Sequence, residues 1–573
     1  MKLLRIKIPD DLKQPFRSLH PGFTIQFNPN LNSKDIEPIG LAGLNGSGKS
    51  NLLELASEIF YYLDSQHLEF PTPSIKDEKE YGFEIDYALP FTFDNPFITF
   101  DSPGYTFDDK YFVVRIMKPI DGDTNYAITS VDHYLKEVNQ TKIEDDKKFK
   151  ADWKSIEFRD SNKQINKNIS QLLPKKVFAY TSGNNELLSN SYYKMQFHYF
   201  NDYKRKLKTG SKFYFDSSRL FFSDQNSNAS VFIANYLLGE KNAIEYINDV
   251  VKVKDLHSFR ITIRYADRSG SRIKEIKFNQ DLDRRVKLLK NCATTWYEKG
   301  SASKQVLTLD YLITDATKKA FKETFGESPF DLFKTFYELE MQNFYALPND
   351  ILGMVSEGPK WLNISDELPK PDPNHLVFRI EKIKIFKQGV DKEFYYKGLS
   401  DGEHQFLQVV GLVMMIEESG CLFLFDEPDT HYNPIWRSKL VYTINQILKK
   451  LNGKKENQSR LQEFLITTHS PFVVSDLRKR NVYIFEKPKT KVNFKPCHFE
   501  TYGASASIIM DEIFGKENSI SEMAKSDLKK LEKPKSIDQL MQIITQLNND
   551  FGESVEKFDL FSKLREIKKQ LEQ

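Results

Sequence analysis

The stretch Gly43-Leu44-Asn45-Gly46-Ser47-Gly48-Lys49-Ser50 decides the fold of this 573-residue chain. It satisfies the pattern G-x-x-x-x-G-K-[ST] at every fixed position, and its flanks supply the context that the pattern needs. Ile39 to Ala42 is a short apolar run of strand character. Asn51 to Leu63 follows the loop with apolar residues at helical spacing, at Leu52, Leu53, Ile59 and Leu63. Strand, glycine loop and helix in that order make a cradle for phosphate. The glycines let the backbone curl so that N–H groups along Asn45, Gly46, Ser47 and Gly48 point at phosphate oxygens. Lys49 reaches the β- and γ-phosphates, the Ser50 hydroxyl ligates Mg²⁺, and the helix adds the positive end of its dipole. A chance glycine turn ahead of a helix is the competing reading, and it leaves the preceding strand unexplained.

Far downstream, Cys421-Leu422-Phe423-Leu424-Phe425-Asp426-Glu427-Pro428 is an unbroken apolar run closed by two acids. A strand without alternation is buried on both faces, as in the middle of a parallel sheet. Acids at the carboxyl end of such a strand sit where open α/β sheets bind ligands. Asp426 is placed to hold Mg²⁺ through water, and Glu427 to polarise an attacking water. Taken alone, the run is read equally well as a strand entering an acidic turn and a helix cap. The phosphate loop in the same chain tips the choice.

Gly398-Leu399-Ser400-Asp401-Gly402-Glu403 precedes the acidic strand by about one helix, and Asp429-Thr430-His431 and Thr467-Thr468-His469-Ser470-Pro471 follow it. On these motifs the chain resembles the ABC-type ATPases. The first is similar to that family's signature, usually Leu-Ser-Gly-Gly-Gln, with Asp401 for the first Gly and Glu403 for the Gln. This form is similar to non-transporter members, the overcoming-lysogenization-defect and recombination-type ATPases. Asp429 opens a segment that resembles the D-loop. His469 resembles the switch histidine that contacts the γ-phosphate, with a histidine capping the next helix as the alternative. The resemblance implies ATP and Mg²⁺ as ligands, with Glu427 and His469 as catalytic residues. It also implies a head-to-tail homodimer, in which Ser400 and Gly402 of one chain close over ATP held by Lys49 of the other. The likeness covers roughly 1–60 and 376–485. The family's Mg²⁺-sensing glutamine has no evident counterpart after the first helix.

The composition, 40% hydrophobic and 28% charged, is that of an ordinary globular protein, and a net charge of +2 gives no global reason to expect nucleic acid. Cys292, Cys421 and Cys497 lie far apart without metal-ligand spacing, which fits a reducing compartment. Met1 to Leu12 lacks the apolar core of a signal peptide, and no stretch approaches the ~20 apolar residues of a membrane helix. The expectation is a cytoplasmic protein with no membrane contact.

The expected class is α/β: an ABC-type P-loop ATPase head with a mixed sheet and an antiparallel β-subdomain, a large α+β insertion and a helical C-terminal tail. Residues 1–63 form the N-terminal lobe of the head, 64–375 the insertion, 376–485 the C-terminal lobe and 486–573 the tail. Phe83 to Leu89, Tyr111 to Ile116 and Val177 to Tyr180 read as strands. Phe259 to Tyr265 and Ile273 to Phe278 read as a hairpin around Asp267-Arg268-Ser269-Gly270, and Asp281 to about Ala346 as mainly helical. The separation of Gly43 from Leu399 far exceeds that of transporter nucleotide domains. Recurrent glycine, proline and aromatic residues within it argue against the coiled coils of condensin-like relatives.

Glu500 to Phe514 looks like the tail of bacterial defence ATPases, among them the Septu-system ATPase and the restriction-system-associated AAA-family ATPases. The latter also resemble Leu41 to Tyr62 and Leu173 to Asn185. For Tyr502 to Phe514 a plain turn and amphipathic helix is the alternative. The resemblance implies an ATP-switched regulator of a partner effector, a nuclease, in an anti-phage or restriction system. The chain offers no Glu plus Asp-x-Asp arrangement and no Cys/His zinc cluster, so cutting falls to that partner. The second reading is a DNA-repair ATPase acting directly on DNA ends, against which the absence of a coiled coil weighs. Direct nucleic-acid contact would rest on Lys204-Arg205-Lys206, Lys208 and Lys212 among Phe197, Tyr199, Phe200, Tyr203, Phe213 and Tyr214. The alternative there is a solvated helix face over an aromatic core. In the tail, the stripe Leu540, Ile543, Ile544 and Leu547 needs a cover, supplied by the chain itself, a second copy or a partner; self-association or partner docking is the expectation.

Overall fold

Three of the apolar runs read above as strands, Ile39 to Ala42, Val177 to Tyr180 and Cys421 to Phe425, meet in one seven-stranded sheet. A computed structural model of the chain describes residues 1–28, 37–67, 82–91, 111–140, 152–158, 166–182, 186–211, 218–224, 227–357, 368–369, 371–452, 462–489, 491–515 and 520–571. The strand order is Asn493–Pro496, Val482–Glu486, Ile39–Gly43, Glu463–Thr468, Leu422–Asp426, Val177–Thr181 and Leu220–Ser223. Every pairing is parallel except that of the outermost strand Asn493–Pro496. Ile39–Gly43, Leu422–Asp426 and Glu463–Thr468 are buried at every residue, as a sheet covered on both faces demands. The registers Asp426↔Thr467, Asp426↔Thr181 and Thr468↔Ala42 bring the carboxyl ends level. The phosphate loop, the acid pair and His469 therefore leave the sheet side by side.

Two antiparallel sheets flank this core. The first has six strands, in the order Thr24–Gln26, Lys2–Lys7, Phe83–Pro90, Tyr111–Lys118, Asn125–Ser130, Lys154–Ile156. It is the expected β-subdomain. Its centre holds a charge cluster: Asp86, with no solvent exposure, receives Arg5 Nε at 2.8 Å and Arg115 Nε at 2.9 Å. The second sheet runs Thr295–Lys299, Val306–Leu312, Val253–Arg264, Phe378–Lys387, Phe394–Tyr395. The helices Gln280–Cys292 and Pro329–Met341 pack on it, and the Tyr311 hydroxyl donates to the Leu289 carbonyl at 2.8 Å.

Three sequence expectations are corrected. The hairpin of Phe259–Tyr265 with Ile273–Phe278 shrinks to a two-residue ladder, Ala266–Asp267 with Lys274–Glu275, because Val253–Arg264 pairs instead with Val306–Leu312 and Phe378–Lys387. The helical stretch 281–346 is broken by the strands Thr295–Lys299 and Val306–Leu312. The sheet also crosses the boundaries drawn around 64–375, since Val177–Thr181 and Leu220–Ser223 are strands of the core sheet.

The loop helix Lys49–Ser65 packs against Asn190–Thr209, joined by Tyr61 Oη and His198 Nε2 at 2.8 Å. Phe197, Tyr199, Phe200 and Tyr203 on that second helix are buried, with Lys204 lying over Phe200 and Tyr345. These four rings form core rather than a stacking platform; Lys212, Phe213 and Tyr214 lie outside the described residues. In the tail, Glu522–Lys530, Ile537–Asp550 and Val555–Leu571 make a small core of their own around Leu528, Leu547, Leu560 and Leu564. Ile543 and Ile544 pack on that core and Leu540 is fully buried, so the chain itself covers the stripe that docking was expected to cover. Among the described residues no helix is long and apolar enough to cross a membrane.

Candidate active site

The phosphate loop needs its glycines for two reasons. Gly43, Gly46 and Gly48 have φ of 143°, 74° and 97°. A Cβ on Gly43 would also lie 2.2 Å from the Phe485 carbonyl oxygen, and one on Gly48 2.8 Å from Val492 Cγ2. Space around Gly46 is open, and Asn45 and Gly46 form the exposed rim. No side chain caps the first turn of Lys49–Ser65, and the buried Ser47 Oγ has no hydrogen-bond partner. Uncapped amides and an orphaned hydroxyl at a helix N-terminus suit a bound anion.

Lys49 is folded back into this loop. Its ammonium donates to Gly43 O at 2.9 Å and Leu44 O at 3.0 Å, and lies 3.0 Å from His469 Nε2. Burial pulls its pKa down to about 8, against the opposing charges of Glu427 and Asp426. Ser50 Oγ donates to Asp426 Oδ1 at 2.8 Å, and Thr467 Oγ1 donates to the same oxygen at 2.6 Å. A serine hydroxyl beside a carboxylate is the hard oxygen donor set that Mg²⁺ takes, so these two residues fit the ion.

Glu427 is one of the few non-glycine residues in the left-handed region, with φ of 51°. Such strain costs on the order of 1–3 kcal/mol and persists where the surroundings over-determine it. They do so here. The Glu427 N–H donates to Thr467 O at 3.2 Å and Thr467 Oγ1 at 3.0 Å. Its carbonyl accepts from Thr430 Oγ1 at 3.0 Å and Gln405 Nε2 at 3.4 Å. The His469 hydrogen bond, then the charges of His469 and Lys49, hold the Glu427 carboxyl below the usual carboxylate range. It is ionised at neutral pH and able to accept a proton. His469 Nε2 lies 3.0 Å from Lys49 Nζ and 3.3 Å from Glu427 Oε1. One ring nitrogen cannot accept from the first and donate to the second at once, so His469 has two exclusive arrangements.

The signature residues stand apart. Ser400 caps the helix Asp401–Met415 in a capping box with Glu403. Lys387 Nζ donates to Glu403 Oε1 at 2.7 Å, fastening the box to the five-stranded sheet. Gly402 is a steric requirement, since a Cβ there would meet His431 O at 2.7 Å. Ser400 and Gly402 line an open cavity of about 510 Å³ with Asp401, Glu403, His431, Asn433 and Trp436, and with no residue of the phosphate loop. Asp429 is buried, and its carboxylate accepts from Thr468 Oγ1 at 3.2 Å.

The structure thus gathers Lys49, Ser50, Asp426, Glu427 and His469 in one site and places Ser400 and Gly402 in another cavity. Thr467, Thr430 and Gln405 join the site as well. The first two fall within motifs quoted from the sequence that give them no role, and Gln405, two residues beyond the motif that ends at Glu403, goes unnamed there. The strand beside Asp426 ends in hydroxyls: Ser182 N donates to Asp426 O at 3.2 Å, and Ser182 Oγ lies 3.0 Å from Thr430 Oγ1.

A phosphate loop, an acid pair and a histidine on adjacent parallel strands define a P-loop ATPase site. One family model agrees with this class. Residues 259–475, which include the acid strand and His469, match the family model described as "AAA domain, putative AbiEii toxin, Type IV TA system". Over 149 residues the chain is 25% identical to Protein ea59 of Escherichia phage lambda, a stretch that spans 26% of this chain and 26% of that protein. The SMC head domain from Thermotoga maritima aligns with 87% of this chain and 100% of its own, at 9% identity and a TM-score of 0.30, a likeness too distant to bear on the fold.

Proposed function

We propose that this chain is an ABC-type ATPase that binds Mg-ATP between two head-to-tail copies and regulates a partner effector, a nuclease, in a bacterial anti-phage or restriction-type defence system. The observation that carries the reading is the separation of the two half-sites. Lys49, Ser50, Asp426, Glu427 and His469 converge, while Ser400 and Gly402 line a cavity that holds none of them. A helix N-terminus presented away from its own phosphate loop suits a nucleotide held by another copy.

In that dimer Lys49 exchanges the Gly43 and Leu44 carbonyls for phosphate oxygens. Ser50 and Asp426 hold Mg²⁺, whose charge offsets that of the phosphates. Glu427 takes the proton of the attacking water. His469, released by Lys49, is free to face the γ-phosphate. The defence setting is supported by the description of the family matched by residues 259–475, which names a toxin of a toxin–antitoxin system. Sedimentation of Glu427→Gln with Mg-ATP tests the assembly: this variant should bind without turnover and sediment as a dimer. A monomer at saturating nucleotide would overturn the head-to-tail reading.

A further inference from the structure

Gln405 lies in the first turns of the signature helix and is 3% exposed. The chemistry of its partners fixes how its amide is used. Its Oε1 accepts from the His431 N–H at 2.9 Å, and its Nε2 donates to the Glu427 carbonyl at 3.4 Å. One side chain therefore joins the helix that begins at Ser400 to both ends of the turn Glu427–His431. The Glu427 peptide is the strained one, with φ of 51°, and it bears the carboxylate that serves as base. At the other side of the same helical turn, Glu403 binds the Ser400 N–H at 2.8 Å and is itself fastened by Lys387 at 2.7 Å. The turn is thus a rigid piece with the signature loop on one side and the peptide of the general base on the other.

We infer that Gln405 is a positioning residue that ties the placement of Glu427 to that of the signature loop in the same chain. Seating Ser400 on a second copy's nucleotide then sets the base for this chain's own nucleotide, and the two composite sites become interdependent. The inference rests on the head-to-tail reading proposed above.

The test uses the full chain. Gln405→Met keeps side-chain length but removes both bonds, together with the hydrogen bond that Gln405 makes with Tyr180. Gln405→Glu keeps the acceptor for His431 and removes the donor to Glu427. Each should lower kcat on the order of 10-fold with little change in KM, as loss of orientation does. The decisive comparison is single-turnover hydrolysis in the Glu427→Gln background. There Gln405→Met should add no further slowing, because the group through which Gln405 acts is gone. Equal slowing in both backgrounds would mark a merely structural role and overturn the inference, as would an unchanged kcat in the single variants. If Gln405→Met does not fold, Gln405→Glu carries the same comparison. Normal turnover by Glu427→Gln alone would instead remove the base assignment of the proposed function.

Discussion

Lys49 in the phosphate loop is a buried cation partnered by two carbonyls and an imidazole, and burial brings its pKa down to about 8 from 10.5. Bound phosphates reverse that shift. Between pH 8 and 10.5 the free protein holds the proton only in part and the complex holds it fully, so binding takes one up. ATP affinity should fall as pH rises through this window, by up to about tenfold per unit. Titration calorimetry at pH 9 in buffers of different ionisation enthalpy reads the uptake directly; no proton exchange would contradict the geometry. The sign for folding follows from the same shift. Charged, buried Lys49 costs stability below pH 8, and that cost is relieved as pH climbs toward 10.5. Glu427→Gln should retain ATP binding and slow turnover by on the order of 10² or more, measured by phosphate release. Lys49 and the acid pair were legible because their chemistry demands fixed types at fixed spacing. Thr467 and Gln405 were not. A hydroxyl in an apolar strand and an amide in a helix look ordinary until the fold sets them against the peptide at Glu427.

At the scale of elements, helices beside motifs and unbroken buried strands were readable, and pairing was not. Phe259 to Tyr265 has the right composition for a hairpin strand, but its partners, Val306–Leu312 and Phe378–Lys387, lie beyond any local pattern. Thr295–Lys299 is an exposed edge strand, so it carries no inward apolar alternation to reveal it. Val177–Thr181 was read as a strand, but its place beside Asp426 is fixed by a crossover that no spacing announces. The tail shows how burial settles a periodic stripe. Leu528, Leu547, Leu560 and Leu564 form a core whose residues take no part in the main one. A chain ending before Ser521 loses that core whole. It should keep its ATP turnover and melt within about 3 °C of the full protein, since separate cores open separately. Ending before Ser536 instead strips the cover from Leu528 and should give a less soluble product. Loss of turnover in the shorter chain would show that the tail is part of the ATPase.

For the whole molecule, the level carboxyl ends of the parallel sheet create one nucleotide-facing surface. Leu44, Ile435 and Phe472, each on a segment that follows one of these strands, are exposed at 59%, 64% and 36%. Apolar side chains around a polar site suit burial against another protein surface. The motifs pointed to two half-sites in the sequence, but only the fold shows Ser400 and Gly402 lining a cavity that holds no residue of the phosphate loop. Complementation tests that arrangement most directly. Lys49→Ala destroys the phosphate loop and Ser400→Arg blocks the signature, so each chain alone should be inactive. Mixed, each heterodimer holds one composite site that pairs an intact Lys49 with an intact Ser400. ATP turnover should return in part, below the wild-type rate per site, because the second site that helps set its base is empty. If two folded variants remain inactive at every mixing ratio, the composite head-to-tail site is contradicted.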